Sequence, residues 1–133
     1  MAVGLLRKLA GRDTYRILSA GTAATQGLQP SSHATEVMQE EGIDICDHCS
    51  QTLDANLLEE ADVVLVMTES HRKQVGDWFR SYANKVRILR EFDPVQDDHD
   101  YPNVPDPIGL GRDAYIKCKE MIKRSLQRAI KEL

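Results

Sequence analysis

Five consecutive apolar residues, Val63-Val64-Leu65-Val66-Met67, constrain this chain more than any other feature. A bilayer crossing needs about twenty such residues. A strand with one wet face would alternate with polar residues, so Ala61 to Met67 reads as a strand buried on both faces. Strands of that kind occur in parallel sheets covered by helices. Lys85-Val86-Arg87-Ile88-Leu89 reads as a second strand and Thr14-Tyr15-Arg16-Ile17-Leu18-Ser19 as a weaker third. Helical spacing links Val75, Trp78, Phe79 and Tyr82, and again Tyr115, Cys118, Ile122, Leu126 and Ala129. The alternation predicts an α/β fold built on a parallel sheet.

Helix starts are marked by hydroxyl residues able to accept from unpaired amides: Ser31 or Ser32 before Ala34-Thr35-Glu36-Val37-Met38, Thr52 before Leu57-Leu58, and Thr68 before the Trp78 segment. Gly42 suits the stop of the first of these. At the N-terminus Ala2, Leu5, Leu6 and Leu9 repeat at helical spacing with no cap residue and no strand ahead of them. In a βαβ series a strand feeds such a helix, and the turn between them is where phosphate meets helix amides.

The 133 residues suit one domain, 1–133. Seventeen Lys and Arg against 21 Asp and Glu give a net charge of −4, which argues against nucleic acid and anionic membranes as partners. The N-terminus lacks the pattern of a secretory signal, and three cysteines fit reduced thiols, so the expected location is cytoplasmic.

Three places could carry chemistry. Ser19-Ala20-Gly21-Thr22 closes a strand where a parallel sheet opens its binding crevice. Cys46-Asp47-His48-Cys49 has the spacing of half a metal site or a redox pair, but Cys118 alone cannot complete four ligands, so no metal or other cofactor is expected. The acidic connection from Asp93 to Asp106 is long for a strand-to-helix link, as loops carrying catalytic groups often are. Prolines at 105 and 107 stiffen the chain around Asp106, while Asp93-Pro94 has an equal local claim.

In chain order, Met1-Ala2-x-x-Leu5-Leu6, Ser19-Ala20-Gly21-Thr22, Glu41-Gly42-Ile43-Asp44, Asp47-His48, Glu60-Ala61-Asp62, Met67-Thr68-x-Ser70-His71 and Asp106-Pro107-x-Gly109 resemble the low-molecular-weight protein tyrosine phosphatase family over nearly the whole chain. The resemblance implies a three-layer α/β/α domain around a four-stranded parallel sheet of order 2-1-3-4. It implies hydrolysis of phosphoprotein monoesters through a phosphocysteine, without a metal. Asp106 would be the general acid and then the base, and Ser19 and His48 would support the phosphate loop from beneath.

The family's Cys-x5-Arg-Ser-Pro motif belongs immediately before Met1-Ala2 and is not among these residues. Six positions after Cys46 and Cys49 stand Thr52 and Ala55, and Cys118 reaches Arg124-Ser125 only within a helical pattern whose amides are already engaged. The expectation is therefore an N-terminally truncated domain, lacking the first, central strand and inactive as it stands. Cys49 and Gln51 depart from the Ser-Arg usual after the histidine, and Ile108 replaces the aromatic residue often found after Asp-Pro. Protein arginine phosphatases of the same family fit the Asp-Pro segment equally well. A non-catalytic binding module and a redox or metal protein using Cys46 and Cys49 are the readings from other classes.

Overall fold

In the computed structural model, which describes residues 1–11, 14–22 and 27–133, the two-sided strand is present in shorter form. β1, Val64–Val66, runs parallel to β2, Val86–Ile88, with Val64 opposite Val86, Leu65 opposite Arg87 and Val66 opposite Ile88. Side chains alternate along a strand, so β1 sends neighbours to opposite faces. Leu65 packs into a core with Leu5, Val37, Met38, Ile122 and Leu126. Val64 and Val66 join Leu58, Val75, Val86 and Ile88 on the other side.

Three layers follow from this division. On the Leu65 face lie α1 (Ala2–Ala10), α2 (Ser32–Gln39) and α5 (Arg112–Glu132). On the opposite face lie α3 (Ala55–Glu60) and α4 (Glu69–Trp78). None of the helices is long and apolar enough to cross a membrane, among the described residues.

The expected caps are mostly in place. Ser31 accepts from the Ala34 amide and Thr68 from the His71 amide. Gly42, at φ 73°, ends the α2 region with paired backbone bonds, Ile43 N–H to Met38 O and Gly42 N–H to Gln39 O, a geometry that a left-handed glycine permits. α1 begins at Met1 without a side-chain cap.

Three expectations change. The cap of α3 is Asp54, whose Oδ1 accepts from the Leu57 amide at 2.9 Å; Thr52 is instead held in an isolated parallel bridge to Gly21. The helix through Trp78 does not continue to Tyr82: it ends at Phe79 and a 3-10 turn, Arg80–Lys85, keeps Phe79 and Tyr82 against the α3–α4 core while Trp78 faces outward. Thr14 to Ser19 is irregular, not a third strand. A strand exists through its ladder partner. Here the Ile17 carbonyl accepts from Arg7 and the Ser19 carbonyl from Gln51, side chains standing in for a neighbouring strand. The sheet is thus two-stranded among the described residues, one strand fewer than a four-stranded family sheet without its first strand would leave.

Gly4 fixes how closely α1 approaches the layer beneath it. A Cβ there would lie 3.0 Å from Ile43 Cγ2, 3.1 Å from Met38 Cε and 3.2 Å from Ile45 Cγ2. Overpacking of this kind outweighs the helix propensity gained by replacing glycine. Gly4→Val is expected to lower the urea unfolding free energy by about 2 kcal/mol.

Candidate active site

Beside Met1 at the start of α1, a crevice of about 460 Å³ is lined by Pro30, Ser31, His48, Asp106, Ile108 and Tyr115, among others. The turn that brings in His48 is local: Asp44 Oδ1 accepts from the Cys46 amide, and the His48 amide donates to the Ile45 carbonyl at 3.0 Å. The imidazole then shares a hydrogen bond with Ser19, Nε2 to Oγ at 3.1 Å. Burial, and secondly the positive charge of the N-terminus and Arg7, lower the His48 pKa from the ordinary imidazole value. A neutral ring can either accept the Ser19 proton or donate to its oxygen.

Asp106 comes to the crevice from the long connection between β2 and α5. Its Oδ1 accepts from the Ile108 amide at 3.0 Å, and Leu110 N–H closes a turn onto the Pro107 carbonyl, with Gly109 at φ 77°. Asp106 as a whole is exposed to solvent. Its rival, Asp93, is fully buried, and Arg124 holds it with two bonds, Nε to Oδ1 at 3.1 Å and Nη2 to Oδ2 at 3.0 Å. The two Asp-Pro pairs are therefore distinguished by environment.

The same pairing disposes of the cysteine–arginine spacing in α5. Cys118 and Arg124 lie six positions apart inside a continuous helix, whose amides cannot cradle an anion. Burial pushes the Cys118 thiol up to about 11, so at neutral pH it is no nucleophile. Cys46 and Cys49 are free and exposed, and a hydrogen bond to Asp44 raises the pKa of Cys46. Among the described residues no group of three His, Cys, Asp or Glu side chains could hold a metal.

Gln51 and the Ser31–Tyr115 pair escape sequence reasoning. Gln51 Nε2 donates to the Ser19 carbonyl at 2.7 Å, so a departure from the expected pattern holds Ser19 by another route. Ser31 Oγ donates to the Tyr115 hydroxyl at 3.2 Å, joining the cap of α2 to the first turn of α5 at the crevice wall. Spacing carries no signal for the second contact, which spans 84 residues.

The family model described as low molecular weight phosphotyrosine protein phosphatase matches residues 1–133. A protein-arginine-phosphatase of Bacillus subtilis is 32% identical over the whole chain and 87% of its own length. A probable low molecular weight protein-tyrosine-phosphatase, EpsP of Ralstonia nicotianae, is 31% identical over 95% of this chain and 81% of its own. Among solved structures, a YwlE arginine phosphatase mutant with a phosphorylated active-site serine superposes with a TM-score of 0.87 at 31% identity, covering 99% of this chain and 85% of that one. The AmsI tyrosine phosphatase of Erwinia amylovora gives 0.87 at 26% identity, covering 99% and 82%. The three-layer α/β/α arrangement is common to these neighbours.

Two measurements check the site's electrostatics. Titration of native protein with a thiol reagent such as Ellman's should modify Cys46 and Cys49 readily and Cys118 only on unfolding, since Cys118 is 6% exposed with its thiol proton firmly held. For His48 the folded pKa is lowered, so the unfolded chain takes up its proton first as pH falls. Its contribution to stability is complete above the unfolded value and is lost as pH falls through the folded one. The urea midpoint should therefore drop as pH falls below the ordinary imidazole value, and drop less in His48→Asn.

Proposed function

The chain belongs to the low molecular weight phosphotyrosine protein phosphatase family, and on that premise we propose that its crevice serves the hydrolysis of a phosphorylated protein side chain. The observation that carries this reading is the meeting of Asp106 with the Ser19–His48 pair at one crevice, from stretches of chain far apart in sequence. Asp106 protonates the leaving atom as its bond to phosphorus breaks, and the resulting carboxylate then takes a proton from the water that hydrolyses the enzyme-bound phosphate. A tyrosine leaving group has a pKa near 10, so an acid placed at the departing oxygen lowers the barrier.

Ser19 and His48 touch no reacting atom in this scheme. Their hydrogen bond keeps the floor of the crevice in shape, and Gln51 holds Ser19 by its carbonyl. The attack on phosphorus requires a thiolate within a cradle of amides and an arginine. None of the three cysteines here is so placed, so these 133 residues alone are proposed to turn over no phosphomonoester. A strand and a Cys-x5-Arg-Ser-Pro loop joined ahead of Met1 would complete the site. A cytoplasmic location is part of the proposal, supported by three unpaired thiols.

Phosphotyrosine is the first substrate class. One observation favours phosphoarginine as a second reading: the rim residue Ile108 is aliphatic and 73% exposed, offering no flat surface for stacking a phenol ring. The similarity to arginine phosphatases over the whole chain points the same way.

The test compares the 133-residue protein with a version carrying the strand and loop ahead of Met1. The first should leave p-nitrophenyl phosphate at its background rate and the second should hydrolyse it. In the second, Asp106→Asn should lower kcat for phenyl phosphate by roughly 10²-fold or more. Turnover by the shorter protein, or an Asp106→Asn variant with unchanged kcat, would sink the assignment. Phosphotyrosyl and phosphoarginyl peptides assayed side by side decide the substrate class.

A further inference from the structure

We propose that Arg90 is the positioning residue for Asp106: its buried guanidinium clamps the long acidic loop so that the carboxylate arrives at the crevice in one place. The proposal rests on the reading of Asp106 as the acid. Arg90 lies two residues past the end of β2, in the 3-10 turn Leu89–Phe92, and none of its surface is exposed. Three loop residues converge on it. Nη1 donates to the Asn103 carbonyl at 2.9 Å, Nη2 pairs with the Asp98 carboxylate, and the Tyr101 ring centre lies 5.9 Å from the guanidinium carbon, within cation–π range.

The clamp passes its constraint along the chain. Asn103 Oδ1 accepts from the Glu69 amide at 2.8 Å, tying the loop to the start of α4, and Val104 N–H donates to the Met67 carbonyl at 2.8 Å, tying it to the end of β1. The Val104 side chain is buried at 3% exposure. Only Pro105 separates that anchor from Asp106, and Pro107 follows it, so little torsional freedom remains between the fixed backbone and the carboxyl group.

A buried ion pair contributes little net stability relative to a well-packed apolar side chain, because each ion must be taken out of water. What the planar fork supplies instead is direction: it bonds a carbonyl and a carboxylate at once in fixed geometry, which neither leucine nor lysine reproduces. Asp93 is held separately by Arg124, and its Oδ2 lies 3.7 Å from Arg90 Nε, so the floor beneath the clamp is itself rigid.

Amide exchange and carboxyl NMR on the 133-residue protein test this without any need for turnover. In Asp98→Asn, whose side chain is at the loop surface, and in Arg90→Lys, exchange of the Val104 amide should quicken about tenfold or more while α5 amides such as those of Leu126 and Ala129 keep their protection. The Ile108 amide and the Asp106 carboxyl carbon should shift together, because their hydrogen bond reports the acid's placement. Asp98→Glu, which keeps a carboxylate in reach of Arg90, should restore both signals. A purely structural role would quicken α5 amides equally, and that result overturns the proposal. So does an Asp98→Asn protein whose Val104 exchange and Asp106 resonance match wild type; this variant alone decides if Arg90→Lys does not fold. Failure of Asp106→Asn to slow turnover would remove its role as acid while leaving these spectra unaffected, so the two readings fail separately.

Discussion

Burial of β1 on both faces is the constraint on which the remainder of the structure depends. With Leu65 turned to one core and Val64 and Val66 to the other, two helical layers must cover a single short strand. Both faces are spent on packing, so the strand's carboxyl end is where side chains can be presented to a ligand. Met67 accepts the Val104 amide there, and Thr68 caps α4 one residue further on. The loop that carries Asp106 is thus anchored where the hydrophobic run ends.

α5 carries the second half of the architecture. Its apolar face, with Cys118, Ile122, Leu126 and Ala129 buried, closes the core over α1 and α2, as the helical spacing implies. Its polar side is also drawn inward: Lys119 and Lys123 pair with Glu41 just beyond α2, at 3.2 and 2.9 Å, and Arg124 holds Asp93. The β2 end of the loop between β2 and α5 is therefore secured by charge at Asp93, while Asp106 remains near the surface.

Much of this was legible in residue order because it rests on local rules. A two-sided apolar run, hydroxyl caps at Ser31 and Thr68, a left-handed glycine at 42 and a 3.6-residue spacing over α5 each act within a few positions. The failures are non-local. Thr14 to Ser19 has a strand-like composition, but strand formation depends on a partner running alongside, which composition does not encode. Gln51 looks like a loss where a serine or arginine is usual, yet it reaches the Ser19 carbonyl across 32 residues. Arg90 reads as one polar residue after a strand, and its burial emerges only when the loop folds back upon it.

Chemistry in this fold is assigned by surroundings and not by the dipeptide or the spacing that attracts notice. Asp93-Pro94 and Asp106-Pro107 are locally equivalent, but Asp93 has no exposed surface and both oxygens bonded to Arg124, so it cannot reach a substrate without breaking that pair. Asp106 commits one oxygen to the Ile108 amide, which orients the carboxyl group and leaves the other available. The same reasoning separates Cys118 and Arg124 from a phosphate-binding loop of identical spacing. An amide already bonded within a helix has no proton to offer an oxyanion, and a thiol pushed up to about 11 by burial does not form the thiolate that attacks phosphorus. Position in the fold, by consuming or sparing hydrogen-bonding capacity, determines which of two matching motifs can act.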